Sequence, residues 1–105
     1  MNRVLKSVWM IYKLSFTRLA LKEWHALDAG LRNQFKTVLA RRLQAPRVPS
    51  AALHGMPHCY KIKAAASGYR LIYEVNDKIV TVTVIAMGKR ERGDVYTAAA
   101  GRLPH

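Results

Sequence analysis

The spacing of apolar residues changes along this chain, and that change limits which elements it can form. Residues 10–16 alternate apolar and polar, which is typical of a half-buried strand. A stripe at spacings of three or four follows and predicts helix: Leu21, Trp24, Leu27, Leu31, Phe35, Val38 and Leu39. Short alternating runs return from residue 59. The chain is therefore predicted to begin with a strand, continue with helices and end mainly with strands.

Helix-breaking residues divide the helical stripe. Residues 28–30, Asp-Ala-Gly, interrupt it, so we predict a hairpin of two helices over about 17–27 and 29–44. Thr17 is a candidate cap for the first helix, and Pro46 ends the second. The loop that follows is expected to contain one short helical turn, near residues 50–54.

Turn residues divide the second half of the chain into strands. Strands are predicted over 59–63, 69–75 and 79–87, joined by a flexible turn at 64–68 and a tight turn at Asn76-Asp77. A helix is expected in the tail, over 91–102. The fold class is α+β: a small antiparallel sheet with an N-terminal strand and a helical hairpin packed on one face.

The length of 105 residues corresponds to one domain. We expect a flexible N-terminal leader over residues 1–9 and a single domain over residues 10–105. Basic residues are expected on the sheet face opposite the helices and at the edge where the strands end.

The charge limits the kind of partner. The chain has 18 Lys and Arg against 6 Asp and Glu, a net charge of +12, which favours nucleic acid, an anionic membrane or an acidic protein. Membrane association is the least favoured, because no apolar basic helix is apparent and no apolar run approaches the ~20 residues that span a bilayer. The single cysteine cannot form an internal disulfide, so a cytoplasmic location is expected.

Cations cluster in the predicted strands and at their ends. Lys61 and Lys63 are two apart on one strand and share a face, and Arg70 follows on the paired strand. Lys89, Arg90 and Arg92 come after the last strand, and tyrosines at 60, 69 and 96 are interleaved. A basic face edged by aromatic rings attracts a phosphodiester backbone and lets bases stack. By charge alone, a solvated polar face that prevents aggregation is the open alternative.

Such a basic site suits cleavage of RNA without a metal. The 2′-hydroxyl attacks the adjacent phosphorus, while the enzyme aligns the attack, transfers protons and neutralises charge on the phosphorane. Tyr96 is a candidate participant, although packing on the core is what the pattern alone favours. His54, His58 and Cys59 form only a loose metal-ligand string, so neither a metal nor another cofactor is expected.

Four segments of the chain resemble the RelE toxin family. They are Ala20–Trp24, Leu53–Lys63, Ser67–Tyr73, and Gly88–Arg92 followed by Val95-Tyr96. The resemblance runs from about Met10 to Arg102 and is closer to RelE than to the related ParE branch, whose members poison gyrase. The Tyr-Lys-Ile-Lys and Gly-Lys-Arg-Glu-Arg blocks together are its most specific part.

The resemblance implies the toxin of a type II toxin–antitoxin system. Such a toxin is a ribosome-dependent mRNA endonuclease that cuts A-site codons by 2′-hydroxyl attack and inhibits translation. The implied partners are a RelB-like antitoxin, the 70S ribosome with mRNA in its A site, and ribosomal RNA. Operator DNA is an implied partner through the antitoxin complex, which would regulate its own operon.

The resemblance also implies roles for individual residues. The residues that match the family's catalytic set are Lys61, Lys63, Arg70, Arg90 and Tyr96. Arg90 would protonate the leaving oxygen, and Arg70 and the lysines would steady the phosphate. Tyr96 would stack on or orient the substrate, and either Lys63 or Tyr96 is the candidate base. Further cations expected to bind RNA are Lys89, Arg92, Lys22, Arg32 and Lys36.

The chain departs from the RelE pattern in two places. His54 precedes Gly55 where the family has arginine, and the turn at 64–66 lacks a basic residue. We expect these changes to affect affinity for ribosomal RNA more than the chemistry. The alternative function is a non-cleaving basic binding module, either a ParE-like gyrase poison or an inactive toxin that acts only in transcriptional regulation.

Overall fold

The computed structural model describes residues 11–64 and 66–103 and confirms the α+β fold. Its strands are β1 (Lys13–Phe16), β2 (Cys59–Ala64), β3 (Tyr69–Asn76) and β4 (Thr81–Lys89). Its helices are α1 (Arg18–Ala26), α2 (Ala29–Arg42) and α3 (Asp94–Arg102), with single 3-10 turns at Pro49–Ala51 and Glu91–Gly93. The predicted leader, residues 1–9, lies outside the described residues.

Capping side chains fix the helical hairpin. The Thr17 hydroxyl accepts a hydrogen bond from the Ala20 amide at 3.1 Å, and Asp28 Oδ1 accepts one from the Leu31 amide at 2.8 Å. The Arg32 guanidinium donates to the carbonyl of Leu27, which follows α1. The predicted break between the two helices is confirmed. Asp28 caps the start of α2, and Arg32 donates to the Leu27 carbonyl, which has no partner within α1.

The four strands form one mixed sheet in the order β1-β4-β3-β2. The three strands of the second half pair antiparallel, as predicted, whereas β1 pairs parallel with β4. Parallel neighbours require a long connection, which here consists of both helices of the hairpin and two strands. The strand order makes β1 and β2 the edge strands of the described sheet.

The predicted ends of β4 and the predicted start of β1 were wrong. β4 starts at Thr81 rather than Ile79, because Val80 has a left-handed φ of 49° and Ile79 is 60% exposed in the turn. At its other end, β4 continues to Lys89, which pairs with Tyr69 of β3. β1 begins at Lys13 rather than residue 10.

Apolar side chains pack on both faces of the sheet. On one face, α1 and α2 cover a cluster that includes Ile62, Leu71, Tyr73, Val82 and Val84. On the other, α3 contributes Val95 and Ala99 to a cluster with Ile72, Ile85 and Ala86. The second face was predicted to be basic, but α3 covers much of it because these strand residues are apolar. The cations on the α3 side of the sheet, at its end beside the β2–β3 turn, include Lys63 and Arg70, which lie opposite each other.

Candidate functional site

The strand register brings predicted site residues together at one corner of the sheet. Lys63 on β2 lies opposite Arg70 on β3, which in turn lies opposite Gly88 on β4. Side chains directly opposite across antiparallel strands have Cβ atoms about 4.5–5.5 Å apart. The Arg90 amide donates to the Gly68 carbonyl at 2.9 Å and holds the loop after β4 against the β2–β3 turn. Arg70 and Arg90 are therefore brought together at this corner, with Lys63 on the strand next to Arg70.

An open cleft of about 610 Å³ lies at this corner. Its lining residues are Ala66, Ser67, Gly68, Arg70, Lys89, Arg90, Glu91 and Arg92. Arg70 is only 9% exposed, and its guanidinium donates to the Tyr69 carbonyl at 3.0 Å, whereas Lys89, Arg90 and Arg92 are exposed. A guanidinium that is fixed in place and surrounded by exposed cations can bind and neutralise a phosphate.

The two predicted lysines lie one strand away from this cleft. Lys61 lies opposite Ile72 and Lys63 opposite Arg70, so both lysines are on the face that carries Arg70. They line a separate depression of about 430 Å³ at the open edge of β2, which Arg41 and Arg42 also line. The lysines thus extend the positive surface of the cleft toward the edge of the sheet.

Tyr96 lies on α3 and is half-buried. Its ring packs against the apolar cluster that contains Ile72 and Val95, which agrees with the packing alternative. This cluster is on the same sheet face as Lys61 and Arg70, because Ile72 lies opposite Lys61 and two positions from Arg70. Tyr96 does not line the cleft, but it belongs to the same side of the sheet.

Glu91 is a cleft residue that the sequence interpretation missed. It lines the cleft together with Arg90 and Arg92, so the lining residues are not all cationic. Arg92 has a left-handed φ of 56°, and its guanidinium lies 3.7 Å from the carboxylate of Asp94. The sequence did contain a signal for Glu91, because this residue belongs to the Gly88–Arg92 segment that resembles the RelE family.

The cations predicted outside this region lie on the helical hairpin. Lys22 is exposed on α1 and Lys36 is exposed on α2, where it borders an apolar groove of about 360 Å³. Arg32 is already engaged by the Leu27 carbonyl. None of the three lines the cleft, and their binding to RNA stays a prediction.

The histidines and Cys59 do not form a metal site with the residues described. Among residues 11–64 and 66–103, no three His, Cys, Asp or Glu side chains are grouped closely enough to hold a metal ion. Burial, with a smaller contribution from Glu74, raises the pKa of the Cys59 thiol to about 11. His58 Nδ1 lies 3.2 Å from the Arg47 guanidinium, whereas His54 is exposed.

No helix within the described part of the chain combines the length and the apolar character needed to cross a membrane.

The sequence is similar to those of known toxins. Residues 14–93 match the family described as ParE toxin of type II toxin-antitoxin system, parDE. The mRNA interferase toxin RelE of Escherichia coli (strain K12) is 50% identical over 94 residues, which cover 90% of this chain and 99% of the relative. The family match ends before Tyr96, whereas the relative is covered over nearly its whole length.

Solved structures give the same result. A mutant of E. coli toxin RelE in the free state superposes with a TM-score of 0.84 at 47% identity, covering 90% of this chain and all of that one. The toxin in the intact E. coli RelBE toxin–antitoxin complex gives a TM-score of 0.75 at 51% identity, covering 77% of this chain and 99% of that one. The similarity includes both the sheet and the helices that pack on it.

Proposed function

Since this chain belongs to the RelE family of type II toxins, within the RelE/ParE superfamily, we propose that it is a ribosome-dependent mRNA endonuclease. It cuts A-site codons and thereby inhibits translation. The observation that carries this proposal is the cationic cleft that Arg70 and Arg90 line at one corner of the sheet, with Lys63 opposite Arg70 on the adjacent strand. A relative named mRNA interferase toxin RelE, at 50% identity, supports it.

The proposed reaction uses the substrate's own nucleophile. The 2′-oxygen forms a bond to phosphorus as the bond to the 5′-oxygen breaks, which yields a 2′,3′-cyclic phosphate and a 5′-hydroxyl. Lys63 or Tyr96 accepts the 2′-hydroxyl proton, and Arg90 donates one to the leaving 5′-oxygen. Arg70 and Lys61 neutralise charge on the phosphorane, for which a preorganised cation such as the nearly buried Arg70 is well suited.

The proposed partners follow from the family and the charge. A RelB-like antitoxin is supported by the E. coli RelBE complex, whose toxin resembles this chain. We propose the 70S ribosome with mRNA in the A site and ribosomal RNA as further partners. Operator DNA is contacted through the antitoxin complex, which regulates the operon. The proposed location is the cytoplasm, without a membrane partner.

The deciding experiment is primer extension on mRNA in purified translating ribosomes. Cleavage inside the A-site codon is the expected result. Since the matched family is described as ParE, gyrase inhibition is assayed in parallel. Gyrase inhibition without cleavage would favour a ParE-like poison, and operator binding with neither activity would favour an inactive regulatory toxin.

We predict that replacing Arg90 abolishes toxicity without unfolding the protein. Arg90→Ala should lower the cleavage rate by about 10²–10⁴-fold, the usual contribution of a positioned proton donor. Arg90 is exposed, so the variant should fold and still bind the antitoxin. The measurement is primer extension with growth arrest, and circular dichroism reports the fold.

Lys78→Ala is the matched control for that variant. It removes the same charge, but Lys78 follows β3 at the end of the sheet opposite the cleft. Its cleavage rate should equal that of the unaltered toxin. Growth arrest by folded Arg90→Ala would contradict the role assigned to Arg90.

A further inference from the structure

Four hydrogen bonds made by Glu23 and Arg102 link α1, β4 and the C-terminal end of α3, and three of them involve Arg102 of α3. The two Nη atoms of Arg102 donate to the two carboxylate oxygens of Glu23 at 2.8 and 3.0 Å. Arg102 also donates to the Ile85 carbonyl at 2.9 Å, and Glu23 accepts the Met87 amide at 3.1 Å. We refer to Glu23 and Arg102 as the clasp.

The clasp is the most shielded of the three ion pairs among the described residues. The side chains of Glu23 and Arg102 are 31% and 21% exposed, whereas those of the Arg47–Asp77 pair are 37% and 54% exposed. The third pair, Arg92–Asp94, is longer at 3.7 Å, and its side chains are the most exposed of the three pairs. Two-pronged bonds between a guanidinium and a carboxylate are strong and directional, so the clasp can fix an orientation.

Helix α3 needs such an attachment because it is short. It has 9 residues, and isolated helices of this length are marginal in water. At its start, Val95 is buried in the cluster that contains Ile85 and Ala86 of β4. At its end, the clasp holds Arg102, the last residue of the helix. Tyr96 lies between these two attachments.

We propose that Glu23 and Arg102 are positioning residues for the active site. By holding α3 on the sheet, they keep Tyr96 on the face that carries Lys61 and Arg70. The clasp acts through Tyr96 and does not contact the substrate. This inference rests on the proposed function, because it assigns the clasp to the same reaction.

A double-mutant cycle tests this role. Glu23→Gln and Arg102→Gln are made in the unaltered toxin and in Tyr96→Ala, and single-turnover cleavage is measured on programmed ribosomes at saturating toxin. Each clasp variant should slow cleavage by about 10-fold, within the 10²-fold that small misplacements can cost. In Tyr96→Ala, the same changes should cost less than about 2-fold, because residues that act as a unit are not additive.

Two further variants separate positioning from general stability. Arg102→Lys keeps the charge but not the planar fork, so it should retain more activity than Arg102→Gln. Asp77→Asn breaks an ion pair at the opposite end of the sheet and should leave the cleavage rate unchanged. Hydrogen exchange should accelerate in the α3 amides of Glu23→Gln but not in those of Asp77→Asn.

Equal losses with and without Tyr96, or unaltered exchange in α3, would overturn the positioning role. If the unaltered toxin does not cleave mRNA, the proposed function fails, and the Tyr96 ring resonances of Glu23→Gln decide the structural role of the clasp. Shifted resonances with faster α3 exchange would support that role. Unshifted resonances would overturn it.

Discussion

At the scale of single residues, Asp77 connects segments that are distant in sequence. Its carboxylate accepts hydrogen bonds from the Tyr12 hydroxyl at 2.6 Å and from Arg47 Nε at 3.1 Å. These contacts, the one from Tyr12 most strongly, lower the pKa of Asp77 below its usual value. The resulting stabilisation is complete above the unfolded-state pKa of about 3.9 and is lost as the pH falls through the lowered value.

We predict that Asp77→Asn reduces stability at neutral pH but not in acid. The unaltered protein should have the higher Tm at pH 7, and the difference should shrink as the pH falls below about 4 because the carboxylate becomes protonated. Asp77 is exposed, so the difference at pH 7 should be small. The measurement is thermal unfolding by circular dichroism between pH 3 and 7. A difference that stays constant over this range would exclude titration of Asp77 as its cause.

At the scale of elements, the chain's periodicity predicted the number, order and type of the main helices and strands. Their ends were less well predicted where a single backbone conformation decides them, as at Val80 with its φ of 49°. The helical hairpin was better predicted because Thr17 and Asp28 are residues of the capping type and lie where each helix begins. A helix start is therefore easier to predict, because its capping residue acts within one turn. A strand end is harder to predict, because it depends on pairing with a neighbouring strand.

We predict that Asp28→Ala destabilises the helical hairpin. Loss of the bond to the Leu31 amide should lower the free energy of unfolding by about 1 kcal/mol, as is usual for a helix cap. Cleavage should be unaffected, because Asp28 does not line the cleft. The measurement is urea unfolding followed by circular dichroism. Asp28→Ser, which can also cap, should recover most of the loss, and equal stability of the two variants would argue against capping.

At the scale of the whole molecule, the cations behind the net charge of +12 fall into two groups. Some line the cleft, and others are dispersed over the rest of the surface. Lys89, Arg90 and Arg92 are exposed at the cleft, whereas Lys22 and Lys36 lie on the hairpin. A charge of this size attracts any polyanion, and under the proposed function the arrangement of cations at the cleft would determine where the scissile phosphate is held. Binding and chemistry should therefore respond differently to changes in salt.

We predict that binding to RNA weakens steeply with salt. Each phosphate neutralised on a single strand contributes about −0.7 to the log–log slope, so three or four cations at the site should give about −2 to −3. The measurement is titration of an RNA that carries a 2′-deoxy group at the scissile position, which binds without being cut. An affinity independent of salt would contradict an electrostatic interface.

The sequence by itself determined the element types, the shared face of Lys61 and Lys63, and the resemblance to RelE. The element types and the shared face depend on the spacing of apolar and polar residues, and the resemblance depends on short sequence segments. Each of these features extends over only a few residues. Only the tertiary structure decided that β1 runs parallel to β4, that the Arg90 loop contacts the turn at Gly68, and that α3 covers part of the expected basic face. It also joined Glu23 to Arg102, which are 79 residues apart in sequence. Such contacts depend on strand order and register, which local patterns do not specify.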